Sequence, residues 1–351
     1  MHQNHEIMGI LHLFNPEHDI ALASNLTNFT APHAGRQLRA DLGFLPALWA
    51  KEGDYVLVED ADQAARAYRR AMRTKNCPVN WITKQQLSTV RWQMVDPWGW
   101  DAALYHQLHR ARVRKTVLPS EDYVMMVRRL SHRVTSAQLL RQLQGDGLVG
   151  EAVLCESEGD VKRWARKHPR MVLKAPWSSS GRGIRFIGGD MTDYHWGWIR
   201  NLLRSQGGVM AEPYYEKVKD FGMEFEATAE GIRFLGLSLF HTANGAYTGN
   251  ILATETTKRK MMSRYGVLDL LDAVQRRICD TLDLEDYRGP FGVDMMIVKQ
   301  EKGFLLHPCV EINLRRTMGH VALALTPTDD DIRKVMRIDY TDNYKLRIRK
   351  L

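Results

Sequence analysis

The apolar and polar positions change period repeatedly along the chain. "GILHLFNP" is an apolar run that stops at Asn15-Pro16, as a buried strand does on entering a turn. "EHDIALA" follows and sets Glu17, His18 and Asp19 at the strand's carboxyl end, where open α/β sheets bind ligands. "DYVLVED" is strand-like, "DQAARAYRRAMRT" helical, "VNWIT" strand-like and "DAALYHQLHRARV" helical. This exchange predicts a small doubly wound, Rossmann-like α/β domain over residues 1–117.

The texture then changes. "LPSEDYVMMVRRLSHRVTSAQLLRQL" predicts two helices, the second capped near Ser131 or Thr135. "EAVLCES", "SEGDVKRWARKHP" and "RMVLK" read as strand, helix and strand, and lead into "LKAPWSSSGRGIRFI", a hairpin with a polar tip. The helix "YHWGWIRNLLRSQ" stops at Gly207-Gly208, and the strands "GVMAEPYY", "GMEFEATAE" and "IRFLGLSLF" come next. "HTANGAYTGNILATETTKRK" is too long and polar for a tight turn, and its His241, Asn244, Tyr247 and Asn250 offer donors to a ligand. After the helix "LDLLDAVQRRICDTLD", "GVDMMIV" and "GFLLHPCVEIN" form a second hairpin.

Composition narrows the class. A chain of 351 residues with 44% hydrophobic and 26% charged residues has enough apolar surface for two or three domains. No run of 18 uncharged apolar residues occurs and the first ten residues lack a leader's pattern, so neither a membrane span nor secretion is expected. Cys77, Cys155, Cys279 and Cys309 are scattered without metal or disulfide spacing, which fits a reducing cytoplasm. The net charge of +8 gathers in "RAYRRAMRTK", "HRARVRK", "MVRRLSHR" and "YKLRIRKL". No nucleic-acid signature accompanies these runs, and solvated faces or an anionic small-molecule substrate account for them.

Two constellations carry chemistry. In the first hairpin tip, Gly181 and Gly183 let backbone N–H groups approach an anion, Ser178, Ser179 and Ser180 add hydroxyls, and Lys174 adds a charge at the base. An ordinary glycine-serine turn is the alternative there. In the second hairpin, Glu311 and Asn313 share one strand face, and the turn around Glu301 and Lys302 brings Asp294 opposite or diagonal to Glu311. Two carboxylates among apolar neighbours repel unless a cation compensates, and hard oxygen donors of this kind suit Mg²⁺.

The ordered segments "SHRVTSAQLL", "MVLKAPWSSSGRGIRFI", "MAEPYYEKVKDFGMEFEA", "GPFGVDMMIV" and "LLHPCVEINLRRTMGH" resemble the ATP-grasp superfamily, which includes D-alanine:D-alanine ligase and biotin carboxylase. The resemblance covers about residues 117–325. It implies two α+β subdomains gripping ATP, residues 118–209 and 210–351, behind the α/β domain. It further implies that Lys174 reaches the phosphates, that residues 178–183 fold over them, that Glu212 and Tyr215 lie at the adenine hinge, and that Glu224 binds ribose. Asp294, Glu311 and Asn313 match magnesium ligands, two ions with Mn²⁺ able to substitute, and Arg315 matches a basic residue facing the reacting group. Where the family commonly has a lysine, this chain has His132-Arg133, so Arg133 is assigned to the phosphates, with a surface helix charge as the alternative.

A P-loop is excluded because no Gly-Lys pair exists, "GRGIRFIG" lacks dinucleotide-fingerprint spacing, and Asp220-Phe221-Gly222 has no H-R-D loop before it and reads as coincidence. The resemblance therefore implies a cytoplasmic ligase that activates a small-molecule carboxylate as an acyl phosphate for attack by an amine. A regulatory ATP-binding module, a small-molecule kinase on the same fold and a nucleic-acid-binding protein stand as alternatives, and a homo-oligomer is compatible with each.

Overall fold

The protein, analysed as a computed structural model, is described over residues 8–178, 183–243 and 246–351. It forms two compact units. The first comprises the chain up to Arg128 with Ala324–Thr326 and Lys334–Leu351, and the second comprises Arg129–Leu323 with Pro327–Arg333.

The first unit is built on four parallel strands, β1 (Met8–Leu13), β2 (Tyr55–Leu57), β3 (Asn80–Ile82) and β4 (Arg91–Pro97), in the order β3-β2-β1-β4. Leu11 and Leu13 of the central strand pack with Ile82, Val95, Leu104 and Leu108. The helix Ala61–Met72 begins where Asp60 accepts a hydrogen bond from the Gln63 N–H at 2.8 Å and ends at Arg73 in the left-handed region. β4 is absent from the sequence-based expectation. It shows no apolar run, because only Trp92, Val95 and Pro97 of its seven residues are buried. Its placement beside β1 reverses the winding and opens a crevice at the strands' carboxyl ends.

The second unit holds two antiparallel sheets. β5 (Val153–Cys155), β6 (Met171–Lys174), β7 (Ile184–Ile187) and β8 (Val209–Pro213) pair in the order β5-β8-β6-β7. Their core joins Leu173 and Ala211 to Val161 and Trp164 of the helix Glu158–Lys167 and to Ile199 and Leu202 of the helix Asp193–Gln206. β9 (Lys217–Thr228) and β10 (Gly231–Ser238) form a hairpin, β11 (Phe240–Ala243) and β12 (Ala246–Leu252) another, and β13 (Gly289–Lys299) and β14 (Phe304–Asn313) a third. The second sheet runs β10-β9-β13-β14, with Phe221, Phe225 and Phe291 fully buried.

Two local expectations change and one narrows. The segment read as a long polar loop is the β11–β12 hairpin followed by the helix Glu255–Met262; alternating polar residues on a strand with one wet face imitate a loop. Of the two places expected for the cap of the helix Arg133–Gln142, the one near Ser131 holds and Thr135 does not: His132 is the cap, its Nδ1 accepting from the Val134 N–H at 3.0 Å. The basic tail, placed by sequence in the last subdomain, is the hairpin β15 (Lys334–Tyr340) and β16 (Tyr344–Lys350) of the first unit, where the Tyr344 N–H donates to Asp41 at 2.8 Å. Among the described residues no helix is long and apolar enough to cross a membrane.

Candidate active site

β6 ends at Lys174, which is 6% exposed, and its Nζ lies 2.7 Å from Glu212 Oε2 on the neighbouring β8. Two groups assigned to opposite ends of a nucleotide are thus paired with each other. Just beyond, the Ala175 N–H donates to the Gly183 carbonyl at 2.8 Å, closing the base of the loop. A Cβ at Gly183 would overlap the Ser178 side chain, so glycine is required there by close approach. Ser179, Ser180 and Gly181 lie outside the described residues.

Arg133, at the start of its helix, is buried rather than a surface charge. Its guanidinium donates to the Ala175 carbonyl at 2.5 Å, to Ser178 Oγ at 2.9 Å and to Glu311 Oε1 at 2.7 Å. One side chain therefore ties the loop base to the carboxylate hairpin. Among the described residues its Nε has no hydrogen-bond partner, so the site retains a buried donor to offer.

On the second sheet, Asp294 pairs in register with Glu311 across β13 and β14 and with Gly222 across β13 and β9. Asn313 Nδ2 donates to Asp294 Oδ2 at 3.1 Å, and its Oδ1 accepts from Arg315 at 2.9 Å. Burial pushes the Asp294 carboxyl up to about 7, Glu311 pushes it the same way, and Arg315 and Asn313 pull it back. Among the described residues no group of three His, Cys, Asp or Glu side chains is arranged as a metal site. The donor set is two carboxylates and an amide, which fits Mg²⁺ because that ion takes one or two carboxylates and completes its shell with water and phosphate oxygens. Burial and the facing Glu311 carboxylate raise Asp294, and a cation held between the two would compensate that charge.

Glu224 is enclosed more tightly than a ribose-binding acid reached from a cleft. Its Oε2 accepts from Thr317 Oγ1 at 2.8 Å and lies 3.1 Å from His320 Nδ1. A Cβ at Gly319 would overlap its Oε1, and one at Gly292 would come within 2.7 Å of Oε2. Burial raises its carboxyl to about 8, against hydrogen bonds from Thr317 and Ser238. A polar chain runs on through Ser238 and Asn250 at 2.8 Å to Tyr247 at 2.5 Å. Of the four donors expected in that segment, Tyr247 and Asn250 join this chain, His241 lies exposed near Lys219, and Asn244 lies outside the described residues.

Tyr215 packs edge-on against His307 with ring centroids 5.5 Å apart, and burial beside Glu151 and Glu212 pushes its hydroxyl up to about 12. Sequence reasoning missed Asp220 and Thr317, and it set His320 near Arg315 as a candidate aid to the transition state, whereas its Nδ1 lies against Thr317 and Glu224. Asp220 was set aside with its tripeptide, yet β9 places it on the face of Gly222 and Glu224, and its charge raises Asp294. The period-two spacing of Asp220, Gly222 and Glu224 was the available signal.

No family model and no curated protein matches the chain. Among solved structures, an N5-carboxyaminoimidazole synthetase from Staphylococcus aureus complexed with ADP is 13% identical, over 94% of this chain and 82% of that one, with a TM-score of 0.50. A biotin carboxylase from Campylobacter jejuni in complex with β,γ-ATP is 14% identical, over 94% and 75%, also at 0.50. Both are ATP-grasp proteins. This chain has the ATP-grasp fold. Lys174, Glu212, Asp294 and Glu311 all belong to the second unit, the first two on the sheet β5-β8-β6-β7 and the last two on the sheet β10-β9-β13-β14.

Proposed function

We propose that the protein is an ATP- and Mg²⁺-dependent ligase that forms an acyl phosphate from a small carboxylate and passes the acyl group to an amine. The observation that carries this reading is the link made by Arg133, which joins Ser178 at the foot of the glycine-serine loop to Glu311 beside Asp294 and Asn313. Lys174 and the loop backbone hold phosphate oxygens, and Glu212 and Tyr215 receive the base. Asp294, Glu311 and Asn313 would hold Mg²⁺, which when bound neutralises phosphate charge.

A substrate carboxylate oxygen attacks the γ-phosphorus and the bond to the β,γ-bridging oxygen breaks, releasing ADP. The amine nitrogen then attacks the acyl carbon, its C–O bond breaks, and phosphate leaves with an amide formed. No protein nucleophile is needed. Arg315, oriented by its hydrogen bond to Asn313, stabilises the anionic charge that develops, a contribution of about 3 kcal/mol in comparable sites.

Hydroxylamine tests the reaction class. With ATP, Mg²⁺ and pools of amino acids, dipeptides and dicarboxylates, at least one pool is expected to yield ADP and hydroxamate together. Arg315→Ala is expected to lower both with little change in ATP affinity. ADP without hydroxamate in every stimulating pool would favour a hydroxyl-directed kinase. Silence in all pools would favour a nucleotide-binding module.

A further inference from the structure

The first unit contains a cavity of about 210 Å³ at the carboxyl ends of all four of its strands, in the crevice where the sheet reverses its winding between β1 and β4. Residues following each strand contribute to it: Asn15 and Glu17 after β1, Glu59 after β2, Lys84 after β3 and Asp101 after β4. Phe14, Ala21 and Phe29 supply apolar wall. The volume is below the roughly 300–1,000 Å³ of sites for drug-sized ligands, so the occupant is smaller than that.

Accounting for the charged groups shows which remain available. Asp101 is spent within the fold: Oδ1 accepts from the Leu104 N–H at 2.9 Å, and Oδ2 accepts from Asn15 at 3.2 Å and lies 3.2 Å from His18 Nδ1. Arg39 is also spent, lying between Glu17 Oε1 and Glu59, to which its Nε donates at 3.1 Å. Glu17 is 8% exposed, and among the described residues its second oxygen, Oε2, is buried without a hydrogen-bond partner. A buried carboxylate oxygen left unpaired is costly and marks a place for a donor. At the exposed rim, Arg36 commits one nitrogen, to the Ala31 carbonyl at 3.0 Å, and Lys84 makes no ion pair among the described residues.

We infer that this cavity is a binding site for a small zwitterion of the α-amino acid class, its ammonium group received by Glu17 Oε2 and its carboxylate by Arg36 and Lys84. Opposite charges at floor and rim select a molecule carrying both, and a purely anionic or purely cationic ligand would leave one end unmatched. Burial pushes the Glu17 carboxyl above its ordinary range while Arg39 pulls it back, as expected of an acid that lacks its full complement of donors. The inference goes beyond the ligase reading, and its test contains neither nucleotide nor metal, so either can fail alone.

The full-length protein would be titrated calorimetrically with each standard α-amino acid, then with the deaminated and decarboxylated analogues of the tightest binder. At least one amino acid is expected to bind, and each analogue to bind at least about tenfold more weakly. Glu17→Gln is expected to cost a similar factor. Because that side chain is buried, the double variant Arg36→Ala/Lys84→Ala, at two exposed positions, provides the second readout and is expected to weaken binding with an unchanged melting temperature. Absence of binding by every amino acid, a deaminated analogue that binds as tightly as its parent, or unaltered affinity in the double variant would each overturn the inference.

Discussion

Replacing Lys174 with alanine is expected to lower ATP affinity at least about a hundredfold and to destabilise the ligand-free protein as well. The two effects share one cause. Lys174 is the cation held against Glu212, and both side chains are almost wholly buried. Removing one member of such a pair strands the other charge in low dielectric, at a cost of about 3–5 kcal/mol. The same lysine closes the strand that leads into the loop, beside the Arg133 guanidinium that holds the loop base, so the phosphates lose one of their two cationic partners too. Lys174→Met with Glu212→Gln separates the effects: it removes the stranded charge, so stability should recover while ATP affinity stays low. Recovery of both by calorimetry and thermal melting would reduce Lys174 to a structural ion-pair partner.

Asp294→Asn is expected to abolish Mg²⁺-dependent turnover while making the metal-free protein more stable near neutral pH. In the folded protein Asp294 keeps its proton to about pH 7, whereas the ordinary value is 3.8. Between those values the folded state binds more protons than the unfolded one, so this group's contribution to stability falls as pH rises and is least favourable above about pH 7. Glu224, raised to about 8, acts in the same direction. Asparagine removes the Asp294 part of that slope, and Mg²⁺ should remove it in the wild type by supplying the missing charge. Thermal melts of both proteins across pH 5 to 8, with and without Mg²⁺, check this. A variant that is less stable at every pH, or active at limiting Mg²⁺, would assign Asp294 a structural role.

The carboxylate hairpin was legible because strand periodicity and a short turn put Asp294 and Glu311 on one face, opposite or diagonal; what sets them directly opposite is a register shift between Asp294 and Met296 that the spacing does not announce. The order of five motifs carried the fold in the same way. The connections made between distant parts of the chain were not legible. Arg133 reaches Glu311 across 178 positions, and Thr317 reaches Glu224 across 93, and no local pattern announces either contact. Edge and hairpin strands escaped for another reason. β4 buries few residues, and β11 and β12 carry polar side chains that local reading assigns to loops. The cavity in the first unit needed the sheet order as well, since Glu17 alone says nothing of Lys84 or Asp101.

The most direct measurement is a crystal structure of the full-length protein with ADP and Mg²⁺. The account predicts the phosphates against Lys174 and the loop base at Ser178, the base beside Glu212 and Tyr215, and Mg²⁺ at about 2.1 Å from oxygens of Asp294 and Glu311. Nucleotide density elsewhere, or bound ADP with no ion between its phosphates and those two carboxylates, would contradict it.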